Sequence, residues 1–144
     1  MLFVGDGPLL QAVKDMACQS SCAGHIIFTG FRGDVPDLLQ AMDAIIQPSH
    51  FEGLPLTTLE ALHAGLPVIG SRAPGLLDAM PAEMHELCSD ADDVNGHAAK
   101  LEKVFNEKRA RSVPGEFLKR FDPEKFAERV FAGYQEALDR SSKA

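Results

Sequence analysis

Residues 44–71 read AIIQPSHFEGLPLTTLEALHAGLPVIGS. A short apolar run, AIIQ at 44–47, ends in Pro48 and opens into a loop containing Gly53 and Pro55. A segment of helical composition then runs from Leu56 to Ala64, and Gly65 and Pro67 stop it before a second apolar run, PVIG at 67–70. Proline near the start and glycine just past the end is the asymmetry of a capped helix. The stretch is therefore a strand, a helix and a strand, the unit that joins parallel strands by a right-handed crossover. The same alternation continues outward. LFV at 2–4, a helix over Leu9–Ala23, HIIF at 25–28, a helix over Val35–Ala41 and, weakly, HELC at 85–88 complete an α/β pattern of about five parallel strands with helices on both faces.

Beyond Asp90 the chain changes character. DDVNGHAAKLEKVFNEKRARSV (92–113) and DPEKFAERVFAGYQEALDR (122–140) read as charged amphipathic helices, with Asp122 as N-cap and Pro123 at the first helical position. The sequence thus predicts a single domain over 1–144, a core over 1–106 and C-terminal helices over 107–140. The last of these, from Pro123 to Leu138, is expected to cover that core with its apolar side, the alternative being that it packs against a further domain. The SSKA terminus is expected to fray.

Composition bounds the function. The chain has 144 residues, 45% hydrophobic and 24% charged, the profile of a globular domain. A net charge of −7 argues against a nucleic-acid partner and favours a small-molecule ligand. No apolar run approaches the roughly 18 residues of a membrane span, and MLFVGDGP lacks the layout of a signal peptide, so a cytoplasmic setting is expected. Cys18, Cys22 and Cys88 form no disulfide framework. Cys18 and Cys22 share a helical face and His25 follows, but no fourth ligand stands at a usual zinc spacing, and no metal site is expected.

In a doubly wound, Rossmann-like sheet, ligands bind at the loops that follow the carboxyl ends of the strands. Those loops are GDGP (5–8), TGFRG (29–33), PSHFEGLP (48–55) and SRAPG (71–75), and they are expected to converge on one crevice. A helix starting near Pro55 or Leu56 would aim unpaired N–H groups there, which suits a phosphate. Glu52 in the loop and Glu60 in the helix flank those groups, and carboxylates accept hydrogen bonds from sugar hydroxyls. The plain alternative is a loop glutamate and a solvated helix glutamate.

The segment PSHFEGLPLTTLEALHAGLPVIGS resembles the Glu-x7-Glu signature of family 4 retaining glycosyltransferases with the GT-B fold. FVGDGP at 3–8 and IIFTGFRGDVPDLLQAMDAIIQPS at 26–49 resemble neighbouring units of the family's donor domain in the same order. The resemblance covers roughly residues 1–80 well and the C-terminal helices loosely. It implies a nucleotide-diphosphate sugar as donor substrate, no separate cofactor, and a glycan or lipid-linked acceptor. It also implies a role for each of several residues. Glu52 would contact the transferred sugar and Glu60 the ribose, with Ser49 and Gly53 in the loop. Backbone N–H groups around Leu54, Leu56 and Thr57 would cradle the diphosphate. Phe31 and Arg32 would flank the base, with Gly5, Asp6 and Gly7 as a neighbouring wall. Arg32 also reads as a plain surface cation.

The chain departs from the family pattern in three places. Pro74-Gly75 stands where a Gly-Gly pair is common, which puts that loop's ligand contact in doubt, and Pro55 stands where Gly is frequent. The family's donor domain opens with a further strand and helix, whose loop supplies an Arg or Lys for the diphosphate. This chain starts one unit later, so the strands at 2–4 and 44–47 are expected either to be separated or to pair directly. It reads as the partial donor half of a transferase, with the acceptor domain elsewhere and peripheral membrane association of the full protein left open. Two alternatives stand beside this: a non-catalytic pairing module that completes its sheet by self-association, and another GT-B enzyme such as a nucleotide-sugar epimerase. His50 and His63 read as structural or solvated rather than catalytic.

Overall fold

The computed structural model describes residues 1–107 and 113–141. The chain order is β1 (Leu2–Phe3), α1 (Leu10–Cys18), β2 (Ile27–Phe28), α2 (Val35–Gln40), β3 (Ile45–Gln47), α3 (Leu56–His63), β4 (Val68–Ser71) and α4 (Pro74–Asp78). It continues with β5 (Cys88–Ser89), α5 (Val94–Asn106), α6 (Gly115–Leu118) and α7 (Pro123–Ser141). Short 3-10 segments occupy Ala23–His25, Ala82–Leu87 and Lys119–Phe121. The architecture is α/β with a helical C-terminus, and every strand pairing is parallel. Among the described residues the strands form two ladders, β1–β2 and β3–β4–β5. Residues 108–112 of the expected 92–113 helix, and 142–144 of the SSKA terminus, lie outside the described residues.

Two compact units make up the chain, 1–38 and 39–144. In the first, Leu2 pairs with Ile27 and Phe3 with Phe28, whose rings stack at 4.9 Å. The Gly5 N–H donates to the Gly30 carbonyl at 2.9 Å and so joins the loops beyond the two strands. Helix α1 ends at Cys18 rather than at Ala23. Ser20 explains this, because its hydroxyl accepts the Cys22 N–H at 3.2 Å, a local turn that competes with continued helix.

In the second unit β4 is central, pairing Ile45 with Val68 on one side and Gly70 with Cys88 on the other. All four of its residues are buried, as expected for a strand covered on both faces. Successive side chains alternate faces. Ile69 packs with Leu87 of the Ala82–Leu87 turn and Val104 of α5, joined by Ile46 and Leu101. On the opposite face, a Cβ at Gly70 would lie 2.8 Å from Leu76 of α4. Helices therefore cover both sides of this ladder.

Helix α3 stops as its sequence dictates. Gly65 takes φ of 76°, its N–H bonds the Leu62 carbonyl at 3.0 Å, and the Leu66 N–H bonds the Ala61 carbonyl at 2.9 Å. This is a Schellman ending, with the buried Leu66 as its hydrophobic contact.

Two further boundaries, and the packing of one helix, differ from expectation. The strand expected over 85–88 is Cys88–Ser89, because the residues before it wind into the 3-10 turn. The SRAPG segment is not all loop, since Pro74 starts α4. Helix α7 does not cover the core. Asp122 caps it as expected, accepting the Glu124 N–H at 2.9 Å, yet Phe126, Val130, Phe131, Tyr134 and Leu138 are all exposed. Its apolar stripe is uncovered.

Burial separates the cysteines. Cys88 is 1% exposed, and burial pushes its thiol up, whereas Cys18 and Cys22 are exposed. A thiol reagent is expected to modify two cysteines of the native chain and the third only after denaturation. Three fast equivalents without denaturant would contradict this packing.

Candidate functional site

The loop between β3 and α3 is fastened at two points. At its start, the Ser71 hydroxyl of β4 donates to the Ser49 carbonyl. At Glu52–Gly53, the backbone lies against the first turn of α4, where Gly75 leaves room for it. A Cβ on Gly75 would overlap the carbonyl oxygens of both residues and sit 2.8 Å from the Glu52 carbonyl carbon. The Pro74-Gly75 departure is thereby given a structural role, because the glycine admits a close backbone approach.

Glu52 is half-buried and Glu60 exposed. Glu52 Oε1 accepts a hydrogen bond from Gln47 Nε2 at 2.9 Å, and Gln47 Oε1 accepts one from the Thr58 hydroxyl at 2.6 Å. Thr58 is fully buried. Sequence reading missed Gln47 and Thr58. Their residue types carry no charge, and only the register of β3 against α3 brings them together.

The start of α3 is free of side-chain caps. Pro55 holds the N-cap position and offers no side-chain acceptor, and the Leu59 N–H is the first to bond back, to the Pro55 carbonyl at 3.3 Å. The N–H groups of Leu56, Thr57 and Thr58 therefore have no partner within the helix. Leu54 and Leu56 are 52% and 67% exposed, so this end of the helix is open to solvent. Between two carboxylates the structure thus presents a row of donors carrying the positive end of a helix dipole, which suits an anion.

The residues expected at the base fall in the unit 1–38. Gly5 and Gly30 take φ of 123° and 67°, values that favour glycine, and Asp6 accepts the Gly7 N–H at 2.7 Å. Phe31 is 82% exposed. Arg32 Nε donates to Asp34 at 2.7 Å, with a second bond from its terminal nitrogen, and this pairing holds the Asp34 carboxyl below its usual range. Ser49, Glu52, Gly53, Leu54, Leu56, Thr57 and Glu60 fall in the unit 39–144.

His50 forms an exposed pair with Asp92 at 3.3 Å, and His63 is exposed on α3. His97 is buried, with both ring nitrogens unbonded among the described residues. A hollow of about 380 Å³ near Met80, His85, Phe117 and Arg120 lies toward the end of α4 remote from Gly75 and includes none of the expected site residues. Among the described residues no three His, Cys, Asp or Glu side chains are grouped to hold a metal ion.

The family model described as glycosyl transferases group 1 matches residues 1–107. The chain is 31% identical over 108 residues to an Escherichia coli UDP-Gal:alpha-D-GlcNAc-diphosphoundecaprenol alpha-1,3-galactosyltransferase, covering 74% of this chain and 28% of that protein. It is 30% identical over 147 residues to a Streptomyces fradiae 2-deoxystreptamine N-acetyl-D-glucosaminyltransferase, covering 96% and 34%. The chain spans about a third of the length of these relatives. In fold it is similar to the pneumococcal O-GlcNAc transferase GtfA, solved in complex with UDP and GlcNAc. The TM-score is 0.80 at 20% identity, over 95% of this chain and 29% of that one. With the family model matching most of its length, the chain belongs to the group 1 glycosyl transferases of the GT-B fold.

Proposed function

We propose that the chain is the donor-binding part of a retaining glycosyltransferase that takes a nucleotide-diphosphate sugar and passes its sugar to a glycan or lipid-linked acceptor. One observation carries the reading: an uncapped helix N-terminus lies between a loop carboxylate and a helix carboxylate in a chain of this family. The diphosphate takes the N–H groups of Leu54, Leu56 and Thr57, Glu52 receives hydroxyls of the sugar, and Glu60 receives those of the ribose. Gly5, Asp6, Gly7, Phe31 and Arg32 are assigned to the nucleobase end by family resemblance alone.

In this reading catalysis is electrostatic. The helix donors are aimed where charge gathers on the departing diphosphate, and they stabilise it more in the transition state than in the ground state. The leaving phosphate oxygen then takes the acceptor's proton, so the two glutamates are not an acid–base pair. Among the described residues no helix is long and apolar enough to cross a membrane.

Calorimetric titration tests the roles. Glu60→Gln is expected to weaken UDP binding by about tenfold, the scale of one hydrogen bond to a charged group. Glu52→Gln is expected to spare UDP and to remove the preference among UDP-sugars. Indistinguishable effects of the two substitutions would sink the assignment.

The uncovered apolar stripe of α7 supports a second reading, in which the chain is a pairing module. Light scattering separates the two, because a monomer at micromolar concentration counts against pairing.

A further inference from the structure

We infer that Gln47 and Thr58 are positioning residues, a relay that holds the Glu52 carboxylate in place for the donor sugar and so sets how strongly the sugar is recognised. The inference rests on the reading of Glu52 as the carboxylate that meets the sugar.

The order of donors and acceptors in the relay is forced. A carboxylate oxygen only accepts, so the amide face turned to Glu52 must be the Nε2 side of Gln47, at 2.9 Å. That leaves Gln47 Oε1 facing α3, where the Thr58 hydroxyl donates to it at 2.6 Å. Thr58 is fully buried, and a buried hydroxyl without a partner is costly, so this bond anchors the relay from the inside. Gln47 sits at the end of β3, paired in register with Gly70, which fixes its backbone. The relay therefore runs from a rigid helix through a rigid strand to a loop side chain. It engages Oε1 of Glu52, and among the described residues no protein group engages Oε2.

Each member has a distinct way to fail. Thr58→Val keeps the shape but removes the donor, so Gln47 Oε1 loses its partner on α3 and only the bond to Glu52 is left to hold the amide. Gln47→Leu removes the contact to Glu52 outright. Thr58→Ser keeps the hydroxyl and should keep the relay.

The test compares the affinities of the chain for UDP and for UDP-galactose, UDP-glucose and UDP-GlcNAc, by calorimetry, and takes the largest ratio of UDP-sugar to UDP affinity as the sugar increment. Gln47→Leu and Thr58→Val are expected to lower the increment by about tenfold, with UDP affinity within about twofold of the parent, and Thr58→Ser to restore it. In a Glu52→Ala background neither substitution should lower it further, since the three side chains act as one unit. A packing defect alone would lower UDP affinity and the urea midpoint as well. A parent-like increment in Thr58→Val and Gln47→Leu, while Glu52→Ala loses it, overturns the relay and leaves the role of Glu52 standing. An unchanged increment in Glu52→Ala overturns the reading of Glu52 and the relay with it, and so does a failure of the parent chain to bind any of the four ligands.

Discussion

Gly75→Ala is expected to displace the Glu52–Gly53 loop, to lower stability by about 3 kcal/mol, and to abolish detectable nucleotide binding. The added methyl would overlap two backbone carbonyl oxygens. A side-chain neighbour could change rotamer, but a carbonyl moves only with its peptide plane, so either the loop or the first turn of α4 must retreat. Retreat of the loop would carry Glu52 away from Gln47 and misalign the donors that follow at Leu54 and Leu56. Gly24→Ala is the matched control, because its methyl would meet nothing within 4 Å. Urea unfolding and UDP titration of both variants decide the matter. If Gly75→Ala matches Gly24→Ala in both, the close approach has no energetic weight.

Ile69→Ala is the second large effect, expected to cost about 2–5 kcal/mol of unfolding free energy. Ile69 has no exposed surface, lies in the central strand of the three-stranded ladder, and contacts both Leu87 and Val104. Its removal opens a cavity where strand, 3-10 turn and α5 meet. Phe51, 82% exposed in the loop, provides the contrast: Phe51→Ala should change stability by no more than about 0.5 kcal/mol despite the larger side chain. A loss at Phe51 equal to that at Ile69 would contradict a core centred on Ile69.

What could be read from the sequence was what depends on neighbours in the chain. Helix α3 was legible from Pro55, Gly65 and Pro67, and the structure starts and stops it within a residue of that reading. Glycines at 5, 30 and 65 marked turns that do adopt positive φ. HELC enters its strand only at Cys88 because the residues before it serve a tertiary role. The His85 ring lies within hydrogen-bond distance of the Leu77 and Met80 carbonyls, which favours a tight turn there. SRAPG was read as loop because Pro74 signals a break as readily as a helix start. Gln47 and Thr58 were invisible for a deeper reason. They are 11 residues apart, and only the fold makes them neighbours. The apolar face of α7 was legible as a pattern, but no pattern states what lies against it.

The bond from Ser71 to the Ser49 carbonyl, taken with the seat of Glu52–Gly53 on Gly75, divides the loop into frame and cargo. The frame is backbone held by contacts within the chain, an arrangement that lowers the conformational freedom to be lost on binding. The cargo is the set of outward side chains at His50, Phe51 and Leu54, all exposed. Such an arrangement is evolvable: those three positions can exchange chemistry over generations while the carboxylate behind them keeps its place.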